Sequence, residues 1–335
     1  MAKQILLMTA QWSDLSLEDI CHEATEMGFD GLELSCSGSH LDLKEAATNP
    51  YYIDYLKDVL KNNKLNCACI AAHVAGKCVG ENENTPMIAL RSEKQHDKKQ
   101  KVRSWGISQM LYAAHAANNL GVKIVSGFMG SQLWKYWYSF PPVSTETIEN
   151  GFYDLKKLWD PIFDEFDRYG VQFAFELHPT ETAFDYWSAK KLLDVFHWRK
   201  TIGFTLDPSH LLWQGIDPTV FIKDFGERIY HVHLKDVAIN LDGRNGILGS
   251  YLPFGNTRRG WNFVSLGHGD IDFDKIIREL NQIGYQGALS IEWEDNGMQR
   301  KRGVEEALAF AKQMNFEPSD EHFDAHLKAK KVNYV

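Results

Sequence analysis

The chain has 335 residues, of which 44% are hydrophobic and 24% are charged, and its formal net charge is -9 at pH 7. This length allows a large buried core and is normal for an α/β barrel with loop insertions. The negative charge argues against nucleic acid or an anionic membrane as a partner. The five cysteines have no metal-site spacing, no apolar run approaches a membrane helix, and the N-terminal segment is too short for a signal peptide. We therefore expect a cytoplasmic protein.

Eight short apolar runs, rich in aromatic and β-branched residues, predict buried strands. They lie near residues 4–10, 31–36, 66–73, 123–129, 171–178, 202–207, 229–235 and 288–293. Helical patterns separate these runs. The first begins after the N-cap residue Ser16, and the others cover about 51–63, 103–119, 146–169, 187–197, 217–226, 272–282 and 303–314.

Four of the junctions repeat one pattern, in which a predicted helix ends at glycine and a strand begins one or two residues later. The glycines are Gly28, Gly121, Gly170 and Gly284. A glycine in the left-handed conformation commonly ends a helix, and the pattern is that of a βαβ array. Eight such units predict a (β/α)₈ TIM barrel. A doubly wound open sheet is the alternative, but no glycine-rich phosphate loop follows the first strand.

Three predicted connections are much longer than usual: residues 74–102, 130–145 and 237–271. Each follows a strand, so in a barrel each lies on the C-terminal face, where long loops shape the substrate site. We expect them to form a lid; decoration or an oligomer contact is the alternative. Residues 1–314 would then form a single catalytic domain, and 315–335 a C-terminal extension.

Four of the predicted strands end in side chains that bind metals. Glu176, Asp207 and Glu292 end three of them, and the segment 229–236 supplies an imidazole. Strand ends converge at the mouth of a barrel. Three carboxylates and one imidazole suit Mn²⁺ best, with Mg²⁺, Co²⁺ or Zn²⁺ possible. A salt bridge at the barrel mouth is the alternative for either glutamate.

These residues carry a resemblance to a known family. Glu176, the Asp-Pro-Ser-His run at 207–210, the His-Val-His-Leu-Lys-Asp run at 231–236 and Glu292 resemble the xylose-isomerase-like barrel superfamily over about residues 4–314. That group includes sugar isomerases, ketose epimerases, inosose dehydratases and the large subunits of C-glycoside deglycosidases. The resemblance implies that Glu176, Asp207, His233 and Glu292 are the metal ligands.

Further residues are candidates for catalysis. His178 lies two positions beyond Glu176, so in an extended strand both side chains point to the same face. Imidazole titrates near neutral pH, which makes His178 a candidate general base, although a structural contact with the 180–186 loop is equally compatible with its position. Glu176 and Glu292 are expected to act in catalysis as well as in metal binding.

Five residues are expected to contact substrate: His210, Lys235, Trp12, His73 and Trp137. The resemblance implies that His210 contacts a substrate hydroxyl. Each of the five has a structural alternative, such as a turn contact for His210, an ion pair for Lys235, core packing for His73 and a hydrophobic clamp for the aromatic residues at 134–140. Of Gln11, Trp12 and Glu33, which follow or end the first two strands, one or two should also reach substrate.

The predicted chemistry begins with removal of a proton next to a sugar carbonyl, giving an enediolate that a divalent ion stabilises. Ketose epimerases carry an Asn-Arg pair and a second glutamate after the first ligand, where this chain has Leu177-His178-Pro179-Thr180. The runs Lys235-Asp236 and Gly267–Phe273 instead resemble the dehydratase and deglycosidase branches. We therefore expect a lyase that eliminates a β-substituent from an oxidised sugar or glycoside, with a keto-sugar isomerase or epimerase as the alternative.

Two other classes of function fit less well. An abasic-site endonuclease of the same barrel type would face polyanionic DNA, which the net charge of -9 disfavours. A non-catalytic subunit would not need four metal ligands. The expected ligand is a small sugar or glycoside, and the deglycosidase resemblance implies a small second subunit; a homo-oligomer is also open.

Overall fold

The computed structural model describes residues 2–81 and 102–325, and its centre is a closed barrel of eight parallel strands. The described strands, in chain order, are β1 (Ile5–Met8), β2 (Gly31–Ser35), β3 (Asn66–Ala71), β4 (Ile124–Gly127), β5 (Gln172–Glu176), β6 (Ile202–Leu206), β7 (Ile229–Leu234), β8 (Asp236–Ile239), β9 (Trp261–Val264) and β10 (Leu289–Ile291). Strands β8 and β9 form a separate two-stranded sheet, and the other eight form the barrel. The order around the barrel is β1-β10-β7-β6-β5-β4-β3-β2. The predicted TIM barrel is therefore confirmed, with all eight predicted strands in place.

Helices surround the barrel. They are α1 (Leu17–Met27), α2 (Leu43–Thr48), α3 (Pro50–Asn62), α4 (His73–Gly80), α5 (Val102–Leu120), α6 (Thr145–Tyr169), α7 (Tyr186–Val195), α8 (Pro208–Leu212), α9 (Pro218–Phe225), α10 (Phe273–Gln282) and α11 (Arg300–Met314). Within the described ranges, no helix has the length and apolar character needed to cross a membrane.

The ends of the helices follow the local sequence signals. The hydroxyl of Ser16 accepts the N–H of Asp19, as an N-cap should. Two of the four junction glycines cap their helices, and all four have positive φ: 89° at Gly28, 78° at Gly121, 60° at Gly170 and 72° at Gly284. The glycine pattern therefore marks αβ junctions, as predicted.

The core lies between the barrel wall and the helices. Its largest fully buried side chains include Trp159, Phe163 and Phe166 of α6, which pack against Phe173 of β5. Inside the barrel the contacts are polar: Ser126 Oγ lies 2.8 Å from Thr205 Oγ1. A polar interior below the mouth provides hydrogen-bond partners for charged side chains at the strand ends.

Two of the predicted lid connections differ from irregular loops. The first, 74–102, begins within helix α4, which follows β3 almost directly. Residues 82–101 lie outside the described part of the chain. The third, 237–271, contains an antiparallel pair, β8 with β9, in which Asp236 faces Val264 and Ile239 faces Trp261. The middle connection, 130–145, contains only a 3₁₀ turn at Trp134–Tyr136.

Candidate metal centre

The four strand ends that carry Glu176, Asp207, His233 and Glu292 meet at the mouth of the barrel. Glu176 is the last residue of β5, Asp207 follows β6, His233 lies in β7 and Glu292 follows β10. These four strands are consecutive in the barrel. One ligand atom from each residue lies within 4.8 Å of the others, and all four side chains are buried. The distant positions in the chain therefore form one compact cluster, consistent with a divalent metal site.

Three buried atoms of this cluster have no hydrogen-bond partner among the described residues, which is consistent with a bound cation. Asp207 Oδ2, His233 Nδ1 and Glu292 Oε2 are buried and have no hydrogen-bond partner. His233 Nδ1 lies 3.1 Å from Glu292 Oε2, but the pair does not have hydrogen-bonding geometry. Buried polar atoms that lack partners are costly. A divalent ion between the three atoms would satisfy them together.

Local hydrogen bonds orient two of the ligands, Asp207 and His233. Asp207 is the N-cap of α8, and its Oδ1 accepts the N–H of Ser209 at 2.8 Å and the Ser209 hydroxyl at 2.6 Å. This leaves Oδ2 for the cluster. Nε2 of His233 lies 3.1 Å from Glu33 Oε2, so Nδ1 faces the other three ligands. A histidine held by a carboxylate is the usual arrangement behind a metal-binding imidazole.

Glu33 is a supporting residue. It is fully buried, and its Oε2 also lies 2.8 Å from His231 Nε2, which in turn lies 2.9 Å from Ser290 Oγ. Burial opposes ionisation of Glu33, but the charges of His233 and His231 hold its pKa well below the usual range. Of Gln11, Trp12 and Glu33, one or two of which were expected to reach substrate, Glu33 has its carboxylate beneath the cluster, in contact with His231 and His233. His231 is a buried histidine that is hydrogen-bonded to Glu33 and Ser290.

The carboxylates of the cluster differ in how readily they ionise. Burial opposes ionisation of Glu292, but Lys235 and His233 lower its pKa to about 2. Burial raises the pKa of Asp207, and His210 and Lys235 only partly offset this effect. Three acids in a buried space repel one another, and a divalent cation relieves that repulsion.

Three further histidines surround Glu176. His73 Nε2 lies 2.7 Å from Glu176 Oε2, and His210 Nε2 lies 3.3 Å from both Glu176 Oε1 and Asp207 Oδ2. The half-buried His178 ring packs 4.3 Å from the His210 ring, and its Nδ1 lies 3.3 Å from Thr180 Oγ1. Burial and the neighbouring His210 hold the pKa of His178 well below its usual value, which favours the neutral imidazole.

Lys235 brings a positive charge next to the cluster. Its Nζ lies 2.9 Å from Glu294, 3.4 Å from Glu292 and 3.7 Å from Asp207. Burial opposes the charge, but these acids raise the pKa of Lys235 well above its usual value. The ammonium group also lies 4.3 Å from the centre of the Phe263 ring.

A cavity of about 430 Å³ opens beside the cluster. Its lining residues are Gln11, Phe254, Gly255, Phe263, Trp293, Glu294, Asp295 and Asn296. Gln11 donates to Glu292 Oε1 at 3.2 Å, so this lining residue contacts the cluster directly, and Glu294 pairs with Lys235 beside the cluster. This volume is within the range of small-molecule sites. Phe263 and Trp293 were not among the predicted site residues, although Trp293 adjoins Glu292 in the chain.

Two of the predicted substrate residues, Trp12 and Trp137, do not line this cavity. Trp12 is buried beneath Arg300, whose guanidinium lies 4.2 Å from the indole centre. Trp137 lines a second cavity, of about 320 Å³, with Trp134, Phe184 and Trp187. That cavity contains none of the four clustered ligands, so the structure does not bring Trp137 to the metal centre.

Asp236 organises the loop above the site. Its carboxylate accepts four backbone N–H groups: Val237 at 2.8 Å, Gly269 at 2.9 Å, Gly267 at 3.0 Å and Ile271 at 3.3 Å. A Cβ atom on Gly269 would lie 2.2 Å from Asp236 Oδ1, so only glycine fits. The two runs noted in the sequence, Lys235-Asp236 and Gly267–Phe273, are therefore joined by these hydrogen bonds.

The fold and the cluster together define an α/β-barrel protein with a buried site consistent with a divalent metal ion. The family model described as xylose isomerase-like TIM barrel matches residues 21–314, and the chain belongs to this family. The resemblance found in the sequence is therefore confirmed.

Two relatives illustrate the range of the family. The Bacillus subtilis (strain 168) protein YfiH is 26% identical over 327 residues, which cover 91% of this chain and 97% of that protein. An inosose dehydratase of Clostridium botulinum (strain Alaska E43 / Type E3) is 27% identical over 172 residues, which cover 51% of this chain and 54% of that enzyme.

Solved structures share the fold. The 3-keto-D-glucoside 4-epimerase YcjR of E. coli has a TM-score of 0.65 at 16% identity, over 93% of this chain and 99% of that one. The IOLI protein with a bound zinc atom has a TM-score of 0.61 at 20% identity, over 93% and 96% of the two chains.

Proposed function

We propose that this protein is a divalent-metal-dependent lyase that eliminates a β-substituent from an oxidised sugar or glycoside. The observation that carries the proposal is the set of three buried ligand atoms without hydrogen-bond partners at the barrel mouth, beside a cavity of sugar size. The relatives and neighbours in the family named for sugar or inosose chemistry support a carbohydrate substrate.

Glu176, Asp207, His233 and Glu292 would hold the ion. A divalent ion there would polarise the carbonyl of the substrate and make the proton on the adjacent carbon more acidic. Manganese suits the three-carboxylate donor set best, and the zinc atom bound by the IOLI protein supports occupancy of such a site by other divalent ions.

His178 is the proposed general base. Its imidazole is half-buried and adjacent to His210 at the rim of the cluster. In a 3-oxo-glycoside, His178 takes the proton from C2, the C–H electron pair forms the C1–C2 double bond, and the bond from C1 to the leaving oxygen breaks. The leaving oxygen then takes a proton, for which Glu294 in the cavity wall, whose pKa burial raises, is the available donor.

Glu181 is not available as the second proton-transfer group that an epimerase would need. An epimerase needs a second proton-transfer group on the opposite face of the substrate, and Glu181 is the next acid after Glu176 in the chain. Its side chain is fully buried, pairs with Lys77, and accepts the N–H groups of Met129 at 3.0 Å and Gly130 at 2.6 Å. Glu181 therefore fixes the loop after β4 and is not free to exchange protons with a sugar.

The alternative is a keto-sugar epimerase or isomerase, in which the same proton abstraction is followed by reprotonation. The structural similarity to a 3-keto-D-glucoside 4-epimerase supports it. The two outcomes differ in products, because only the lyase releases the β-substituent.

The first test is metal analysis of the purified chain beside two variants. Glu176→Gln removes one ligand charge, and Glu26→Gln, an exposed glutamate on α1, is the matched control. We expect one divalent ion per chain in the wild type and the control, and loss of the ion in Glu176→Gln. No bound ion after incubation with Mn²⁺ would refute the metal centre.

The second test is turnover. The Mn²⁺-loaded protein is incubated with 3-oxo-glycosides, inososes and ketoses in deuterated water. Release of the β-substituent supports the lyase, and deuterium incorporation without elimination supports the epimerase. If all three substrate classes remain unchanged, the proposed function is wrong.

A further inference from the structure

Four exposed aromatic side chains lie together on one surface of the protein, which we call the aromatic face. Trp137, Tyr138 and Phe140 come from the connection after β4, and Trp187 comes from the first turn of α7. Their exposed fractions are 49%, 82%, 96% and 73% in that order. Trp137 and Trp187 line the same cavity, and the ring centres of Trp137 and Tyr138 are 5.6 Å apart. Phe140 follows Tyr138 by two residues, at most about 7 Å of chain, so the four form one patch.

The backbone beneath the aromatic face is held in place. The hydroxyl of Ser131 accepts the N–H of Trp134 at 2.9 Å, at the start of the 3₁₀ turn. The ring of Trp134 stacks on that of Trp137 with centres 5.7 Å apart and planes within 14°. On the other side, a capping box fixes the first turn of α7, which carries Trp187. A surface that is already ordered loses little conformational freedom when a partner binds.

The aromatic face exposes as much apolar area as one side of a dimer interface. A Phe, Tyr or Trp side chain has roughly 150–250 Å² to bury, so the exposed fractions of the four residues correspond to about 600 Å². This is at the upper end of the largest apolar patches on monomeric proteins, which cover about 300–600 Å². A standard interface buries about 800 Å² on each partner, of which about 65% is apolar in a homodimer. The aromatic face therefore supplies the apolar area that such an interface needs.

The charges around the cavity favour an identical partner. Lys191, in the lining, forms an ion pair with Glu149, and Glu181, also in the lining, forms one with Lys77. The carboxylate of Asp185 caps α7. Each charged lining residue thus has a partner within its own chain, so a strongly charged molecule would gain little here. A second copy, by contrast, can approach this face without the repulsion expected from a net charge of -9 on each chain.

We propose that the aromatic face is the interface of a homodimer, in which the same face of a second copy covers it. Such an interface has a two-fold axis and needs a surface that is complementary to itself. The aromatic face meets this need, since it combines the almost fully exposed rings of Tyr138 and Phe140 with the cavity of about 320 Å³ that Trp137 lines. The proposal depends neither on the metal centre nor on the reaction.

A second exposed apolar group provides the matched control. Leu248 and Tyr251, in the insertion between β8 and β9, are 65% and 107% exposed. Together they are almost as exposed as Tyr138 and Phe140, but they lie on a different connection. The double variant Leu248→Ser/Tyr251→Ser therefore removes a similar exposed apolar group from outside the aromatic face, for comparison with Tyr138→Ser/Phe140→Ser.

The oligomeric state is measured by sedimentation equilibrium over a range of protein concentrations. We expect a dimeric wild type, and we expect Tyr138→Ser/Phe140→Ser to raise the Kd of the dimer at least about 100-fold, because both copies lose two rings at the interface. The control Leu248→Ser/Tyr251→Ser should associate like the wild type. All four substituted residues are exposed, so both variants should fold, and far-UV circular dichroism verifies this.

A wild type that stays monomeric over the whole concentration range overturns the proposal. A dimer that Tyr138→Ser/Phe140→Ser leaves intact, or that the control weakens to the same extent, also overturns it, because the interface then lies elsewhere. Dissociation in the variant of the aromatic face alone supports it. Metal content and turnover are separate measurements, so failure of the proposed function is distinguished from failure of the dimer.

Discussion

Replacing Asp236 by Asn should destabilise the protein although the two side chains have the same shape. The carboxylate is 1% exposed, and each of its oxygens accepts two backbone N–H groups. In the amide, one of the two positions becomes an NH₂ group, which cannot accept. Two backbone N–H groups then lose their acceptor and face another donor.

The magnitude follows from the number of bonds lost. A hydrogen bond to a charged group contributes about 1.5–3 kcal/mol, so two of them correspond to about 3–6 kcal/mol. Burial raises the pKa of Asp236 despite the N–H groups of Gly269, Val237 and Gly267, which shows that the charge also has a desolvation cost. The neutral amide avoids that cost, so the expected loss is near the lower end, about 3 kcal/mol.

The matched control is Asp242→Asn. Asp242 Oδ1 also accepts two backbone N–H groups, from Arg244 and Asn245, both at 2.8 Å, but this side chain is exposed and water can replace the bonds. Urea unfolding followed by tryptophan fluorescence compares the midpoints of the two variants with the wild type. We expect a clear decrease for Asp236→Asn only. Equal midpoints for both variants would refute the assignment of Asp236 as the residue that holds the loop 267–271.

Two other predictions test the surroundings of the metal centre and the state of the thiols. Glu33→Gln should weaken divalent-metal affinity about 10–100-fold, because the Glu33 carboxylate orients the metal ligand His233. Metal titration of this variant and of the exposed control Glu26→Gln measures the effect. Equal affinities of the two variants would contradict the prediction. In the part of the chain that the structure describes, the five cysteines form no disulfide, and burial raises the pKa values of Cys21, Cys36 and Cys67 to about 12. The thiols should therefore stay protonated and unreactive toward Ellman's reagent at pH 8 in the native protein and react when it is unfolded; rapid labelling of native protein would show that the interior opens.

The barrel could be predicted because its signals are local. A predicted strand at 229–235 is observed at Ile229–Leu234, and one at 31–36 is observed at Gly31–Ser35. Each parallel strand is covered on both sides, so it appears as a continuous apolar run. The helix ends at the junction glycines could be predicted equally well, since the left-handed conformation at the end of a helix is adopted mostly by glycine.

Elements whose pairing depends on distant residues were missed. The β8–β9 pair joins residues 236–239 to 261–264, and no two-residue turn links them, so neither strand has a hairpin signal in the sequence. Helix α4 begins without a side-chain cap, which removes the usual sign of a helix start.

For the site, the sequence by itself determined which side chains stand at the strand ends, because the length of each apolar run sets where a strand leaves the barrel. It therefore indicated Glu176, Asp207 and Glu292 as neighbours. Only the tertiary structure decided their surroundings: Glu33 lies beneath His233, and Phe254 rather than Trp137 lines the cavity beside the cluster. The physical reason is that these contacts join side chains from strands and loops far apart in the chain, and their distances depend on how the closed barrel and its insertion pack, which no local pattern encodes.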